Sequence, residues 1–242
     1  MTRVITGSVL AVCLISMIGC AGNGGTSVSG DPPVPTAAGD ESSSSTAAGE
    51  TFLVKLETSK GDVVIEVHPD WAPNGAAHFR ELVEEEFYDE CRFFRVLDGF
   101  MAQVGMNGDP AVQARWGEAT IPDDPVKESN KRGYVTYAQT AMPNSRSTQF
   151  FINYGDNSNL DRQRFAPFGK VIEGMDIVDS LYSGYGEGAP SGPGPSQEGI
   201  AQLGNEYLNA EFPMLDYIIT ARIVGEDDAQ TEETVDTPAE AP

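Results

Sequence analysis

Phe93-Phe94-Arg95-Val96-Leu97-Asp98-Gly99-Phe100-Met101-Ala102-Gln103, answered further along by Thr148-Gln149-Phe150-Phe151-Ile152-Asn153, decides the reading of this chain. It sets one arginine among aromatic and aliphatic groups. A buried charge is costly unless it is paired or does chemistry. A strand-like run that holds Arg95 between apolar residues and continues to Phe100, Met101 and Gln103 therefore outlines an apolar pocket with a polar edge, the make-up of a ligand site. Because alternate strand residues face opposite ways, Phe93, Phe150 and Ile152 belong to the core and not to the pocket. Taken alone, Arg95 reads more simply as a salt-bridged surface residue, since buried charges are rare.

Around this stretch the pattern is one of short strands. Thr51–Glu57 and Asp62–Val67 flank Ser59-Lys60-Gly61 and form a hairpin. Pro73 opens an amphipathic helix with Ala76, Ala77, Phe79, Leu82 and Val83 at helical spacing, running to about Glu86. Further strands are predicted at Arg92–Val96, Met101–Val104, Gly133–Ala138, Thr148–Asn153, Ala166–Val171 and Asp216–Val224, with a short helix at Met175–Leu181. Two long insertions, Asn107–Asn130 and the Gly- and Pro-rich Ser183–Phe212, are expected as surface loops, which at such length are often functional. Gly99, Gly105 and Gly169 suit turns or close backbone approach.

The central stretch closely resembles the signature of the cyclophilin family of peptidyl-prolyl cis/trans isomerases, F-x-R-x-x-x-G-F-M-x-Q. The resemblance extends to three further blocks in order: Pro73-Asn74-Gly75-Ala76-Ala77-His78-Phe79-Arg80, Thr148-Gln149-Phe150-Phe151-Ile152, and Leu160-Asp161 followed by Phe168-Gly169-Lys170-Val171-Ile172-Glu173-Gly174-Met175-Asp176. Four ordered blocks across residues 51–225 are far more specific than one short motif. The resemblance implies a mainly β fold, a closed eight-stranded antiparallel barrel capped by two helices, and closure would leave no exposed sheet edge.

It also implies an enzyme, a peptidyl-prolyl isomerase with no cofactor and no metal. The catalytic set is Arg95, Phe100 and Gln103. Met101, Phe151 and Leu160 join Phe100 in gripping the proline ring, Gln149 is a further polar contact, and Ala138 or its neighbour Gln139 meets the peptide backbone. Two positions depart from the family pattern. Phe165 falls where many members have His, and fills the same wall without a polar tip. Asn159 stands where cyclosporin-sensitive members have Trp, so weak cyclosporin binding is expected. The alternative function is a non-catalytic module or chaperone of the cell envelope that binds proline-containing peptides.

The ends of the chain read differently. Residues 1–19 are a secretory signal peptide: a positive start with Arg3, the apolar run Val9–Ile18, then Gly19. Met17-Ile18-Gly19-Cys20 resembles a bacterial lipobox, making Cys20 the lipidated residue, although Met17 is a less usual choice than Leu. Residues 20–50 then form a flexible linker of Gly, Ser, Thr, Ala and Pro. Residues 51–225 are the folded domain, and 226–242, with seven acids and no base, an acidic disordered tail. The expected location is exported: a membrane-anchored lipoprotein of the bacterial cell envelope, on its periplasmic or extracellular face.

The net charge of −22 argues against nucleic acid and against anionic lipid as surface partners. The partners expected are proline-containing unfolded or flexible polypeptides, with membrane contact only through the anchor, and the chain is expected to act as a monomer. Cys91 is the one cysteine left in the domain and reads as a small buried hydrophobe. His68 and His78 lie apart from the motif, and no Cys and His cluster has metal-ligand spacing.

Overall fold

The computed structural model describes residues 49–225; the signal peptide expected at 1–19, the lipidation expected at Cys20, most of the linker expected over 20–50 and the tail expected at 226–242 lie outside the described residues. Strands β1 (Phe52–Thr58) and β2 (Gly61–Val67) form the expected hairpin, in register from Phe52↔Val67 to Thr58↔Gly61. Their alternation buries Val54, Leu56, Ile65 and Val67. Helix α1 (Pro73–Glu84) begins at its proline, whose missing N–H is one that a first turn cannot pair, and turns Ala76, Phe79, Leu82 and Val83 inward.

β3 (Arg95–Leu97), β4 (Met101–Val104), β5 (Tyr134–Tyr137), β6 (Phe150–Asn153), β7 (Pro167–Glu173) and β8 (Ile218–Val224) complete one antiparallel sheet in the order β3-β4-β6-β5-β7-β2-β1-β8. The core lies between its concave face and α1. Phe79 meets Phe150 edge-on with centroids 5.4 Å apart and Phe168 at 4.9 Å, contacts that add to the area these rings bury. Cys91 is fully buried in the same core, as expected, and the short helix expected after β7 follows the Gly174 turn as α3 (Met175–Asp179).

The expected closed barrel is not formed. Eight antiparallel strands are present, but the sheet is an open half-barrel: its end strands β3 and β8 share no ladder. They are joined by the single antiparallel bridge Arg92↔Tyr217, with Phe93 N donating to Asp216 O at 2.9 Å and Ile218 N to Cys91 O at 2.9 Å. Past that point Phe94 turns into a second apolar cluster with Met106, Ile200, Leu208 and Leu215, and β3 pairs with β4 alone. Burial of Phe94 against the second insertion thus takes the place of continued strand pairing.

The insertions are also not plain loops. The first carries α2 (Pro110–Trp116), started by the Asp109 side chain accepting from Ala111 N at 2.8 Å. The second carries α4 (Gln197–Glu211), capped by Ser196. So four α-helices stand among the described residues where two capping helices were expected. α4 breaks at Gly204, in a positive-φ conformation (φ 57°, ψ −139°) where a Cβ would fall onto the Gly108 carbonyl. Asn205 N donates to that carbonyl at 2.9 Å, tying the two insertions together.

Candidate active site

Register builds the site. In the β3/β4 pair Arg95 lies opposite Gln103, and in the β4/β6 pair Gln103 lies opposite Phe151. Directly opposed residues on one sheet face are close neighbours, so these three form a row across three strands. Met101, two residues before Gln103, shares their face. Gly105, which ends β4, takes φ +104° and lets the chain pass so near β6 that a Cβ would meet the Thr148 carbonyl at 2.5 Å.

Phe100 comes from the β3–β4 turn. Leu160 and Phe165 come from a 3-10 turn over Ser158–Gln163 and the residues after it. That turn is fastened from below by polar groups. Asp161 Oδ1 accepts from Asn130 N at 3.0 Å and Asn130 Nδ2 at 2.8 Å, while its Oδ2 accepts from Ser129 Oγ at 2.5 Å. Burial alone would raise the Asp161 pKa; the hydrogen bonds from Ser129 and Asn130 outweigh it and lower it. Asn157 Nδ2 donates to Phe100 O at 2.8 Å, and Asn130 Nδ2 to Phe165 O at 2.9 Å. Three walls of one pocket are thereby held by one network.

The result is a cavity of about 250 Å³ lined by Arg95, Phe100, Met101, Gln103, Ala138, Gln139, Phe151, Leu160, Phe165, Glu187 and Gln197. Its apolar floor is the buried group Met101, Phe151 and Leu160, with Phe100, Ala138 and Phe165 packed on it. Phe165 meets Phe151 at 5.9 Å with the rings inclined by 66°. Phe150 and Ile152, on the opposite face of β6, are fully buried in the core, as alternation requires.

Arg95 closes one side. Its Nη1 donates to Gln103 Oε1 at 3.0 Å, and its guanidinium carbon stands 5.9 Å from the Phe100 ring centre. Gln103 Nε2 donates to Gln149 Oε1 at 2.8 Å, and Gln149 Nε2 to Gln197 Oε1 at 3.0 Å. A chain of amides therefore runs from Arg95 to the N-terminal turn of α4. Gln149 lines not this cavity but a polar one of about 290 Å³ beside it, with Gln103, Ala138, Gln139 and Gln197.

Of the nine pocket residues read from the sequence, the structure gathers eight around one cavity and puts Gln149 next door. Cys20 lies outside the described residues. Ala138 and Gln139 both reach the cavity, and Gln139 Oε1 is buried there without a hydrogen-bond partner. Sequence reasoning missed Glu187 and Gln197. Glu187 accepts from Arg95 Nε at 2.6 Å and Nη2 at 2.7 Å, a two-pronged ion pair across 92 residues of sequence. The Arg95 guanidinium bonded to it holds the Glu187 carboxyl below the usual carboxylate range. Gln197 carried one signal, its place directly after the capping Ser196.

His68 stacks on Trp71 with centroids 3.7 Å apart, and His78 packs near Tyr137 and Trp116; neither lines the cavity. Among the described residues no group of three or more His, Cys, Asp and Glu side chains is placed to hold a metal ion.

Comparison with known proteins identifies the family. The family model for cyclophilin type peptidyl-prolyl cis-trans isomerase matches residues 53–196. A probable peptidyl-prolyl cis-trans isomerase of Brucella abortus is 38% identical over 148 residues, covering 57% of this chain and 75% of the relative. Peptidyl-prolyl cis-trans isomerase B of Escherichia coli is 30% identical over 182 residues, covering 72% of this chain and 100% of the relative. Among solved structures, a cyclophilin type isomerase of Cryptosporidium parvum superposes with a TM-score of 0.54 at 21% identity, covering 73% of this chain and 99% of that one. With more than half of its length matched by the family model and its pocket assembled from the signature residues, this chain belongs to the cyclophilin-type peptidyl-prolyl cis-trans isomerase family.

Proposed function

We propose that this isomerase accelerates X–Pro isomerisation in exported polypeptides as they fold, held at a membrane by a lipid on Cys20. The observation that carries the reading of the site is a guanidinium at the edge of an apolar cavity, with Arg95 oriented by Gln103 at 3.0 Å. Amide resonance sets a barrier of about 18–20 kcal/mol against rotation. No bond has to break, so the enzyme needs only to favour the twisted state. A donor aimed at the prolyl nitrogen stabilises the pyramidal nitrogen of that state and not the planar ground state. A dry wall of Phe100, Met101, Phe151 and Leu160 withholds the water that would stabilise the planar, polar amide.

Arg95 suits this role because an arginine presents its donors in a planar, pre-organised fork. Gln103 orients it, Ala138 and Gln139 offer contacts to the peptide backbone, Gln149 extends the polar edge, and Phe165 supplies an aromatic wall. No cofactor enters the reaction. A Cryptosporidium parvum cyclophilin was solved in the presence of the dipeptide Ala-Pro, which accords with a proline-containing peptide as the ligand here.

One feature favours the rival reading of a non-catalytic proline-peptide binder: in the resting site Arg95 is already engaged by Glu187. Activity of the folded protein on an X–Pro peptide separates the two. The anchor is tested by fractionating bacteria that express the full chain or its Cys20→Ser variant. Wild type is expected in the membrane fraction and the variant in the soluble one, and equal partitioning of the two sinks the anchor.

A further inference from the structure

The most unusual group in the cavity is Glu187, from the Gly- and Pro-rich second insertion. Arg95 has five N–H groups. Glu187 takes Nε–H and one hydrogen on Nη2, Gln103 takes one on Nη1, and the Met101 sulfur lies 3.9 Å from Nη1. A carboxylate bound by two prongs is a stronger acceptor for a guanidinium than any neutral amide. Three of the five N–H groups are thus taken by oxygen acceptors, two of them by a carboxylate of the same chain that competes with the prolyl amide for the guanidinium.

The loop is built to hold that carboxylate in place. Gly188 N donates to Glu187 Oε1 at 3.0 Å, fixing the side chain from its own backbone. Gly194 N donates to the Glu187 carbonyl at 2.9 Å, folding the segment back on itself, and a Cβ on Gly194 would meet that carbonyl at 2.9 Å. Tyr185, two residues earlier, packs edge-on against Phe212 with centroids 5.1 Å apart, which pins the loop to the end of α4. Yet the pair is not sealed off: the side chains of Arg95 and Glu187 keep 25% and 36% of their exposure. An incoming peptide can reach both.

Resting on the isomerase reading, we propose that Glu187 is a specificity-determining residue that selects substrates with a cationic side chain beside the proline. A peptide with Lys or Arg there offers the carboxylate a second partner and frees the Arg95 guanidinium for the prolyl amide. A neutral peptide must displace Glu187 without replacing it. A peptide with Glu or Asp beside the proline brings a like charge to Glu187 and is the poorest substrate. Each step of this ladder involves one partly exposed charge pair, so it amounts to about two- to fivefold in kcat/KM. It shrinks as salt rises.

The test measures kcat/KM for three X–Pro peptides that differ only in a Lys, Ala or Glu next to the proline, with the full chain and with Glu187→Gln and Glu187→Lys. Expected for wild type is Lys above Ala above Glu. Glu187→Gln raises the rate on the Ala peptide and levels the ladder, and Glu187→Lys inverts it. An unchanged ladder in Glu187→Gln overturns the proposal, as does a lower rate on the Ala peptide, which would make Glu187 a support that positions Arg95. If the folded wild type accelerates none of the peptides, the isomerase reading itself fails and takes this proposal with it.

Discussion

Asp124 belongs to the first insertion, far in sequence from α1, yet it caps that helix. The residue before α1, Ala72, supplies no side-chain cap. Asp124 supplies one instead, with Oδ1 accepting from Asn74 N at 3.1 Å and Oδ2 from Gly75 N at 2.9 Å. Oδ2 also accepts from Arg146 Nη1 at 3.1 Å, and both side chains of this ion pair are only 1% exposed. Replacing Asp124 by Asn keeps the shape, removes the charge and leaves Arg146 buried. Its other partners are the Pro122 carbonyl and, at 3.9 Å, Asp123.

Removing one partner of a buried pair costs about 3–5 kcal/mol, and Arg146 would keep only the more exposed carboxylate of Asp123, at 3.9 Å. For a domain of this size each kcal/mol lowers Tm by about 2–4 °C, so Asp124→Asn is expected to lose roughly 6–20 °C. The assay is urea denaturation followed by far-UV circular dichroism, with calorimetry for Tm. The double variant Asp124→Ala/Arg146→Met should lose less than the sum of its single changes, since it leaves no orphaned charge. A loss below about 1 kcal/mol for Asp124→Asn would refute the reasoning.

Two further outcomes follow from the site and the core. Asn159 stands exposed on the 3-10 turn beside Leu160 and does not line the cavity. Cyclosporin is therefore expected to inhibit weakly while isomerisation persists, and inhibition at the low concentrations that saturate Trp-containing cyclophilins would contradict this. Cys91 is fully buried, and burial pushes its thiol far above the ordinary range. With less thiolate than a free cysteine at every pH near 8, it should resist a disulfide-exchange reagent in a Cys13→Ser/Cys20→Ser background until denaturant opens the core. Rapid reaction of the native protein would contradict this.

How much of this was legible beforehand depends on the range of the contacts. Arg95 and Gln103 flank a short turn at Gly99, so alternation alone puts them opposite one another on a shared face. The pocket floor was legible for the same reason, through the alternation of Phe150, Phe151 and Ile152. The helices inside the insertions were marked by their caps, Asp109-Pro110 and Ser196, but the surrounding Gly and Pro masked them. Closure was misjudged because a strand pattern does not reveal that Phe94 will turn aside to bury itself against Ile200 and Leu208. Glu187, Asp124 and Asn130 had no local signature, and Asp161, though part of the Leu160-Asp161 block, gave no sign of the partners it holds. Each acts on a partner at least 22 residues away, and a single acid in a polar loop looks like any solvated surface charge.

The central claim is that Arg95 at the rim of this cavity drives X–Pro isomerisation. Its most direct test is the cis-to-trans rate of a short X–Pro peptide with the full chain and its Arg95→Ala variant, after circular dichroism shows both folded. The account predicts strong acceleration by the wild type and a fall of about 10²-fold or more in the variant, the scale for losing a donor aimed at the transition state. A folded wild type without acceleration, or an Arg95→Ala variant as fast as wild type, would contradict it.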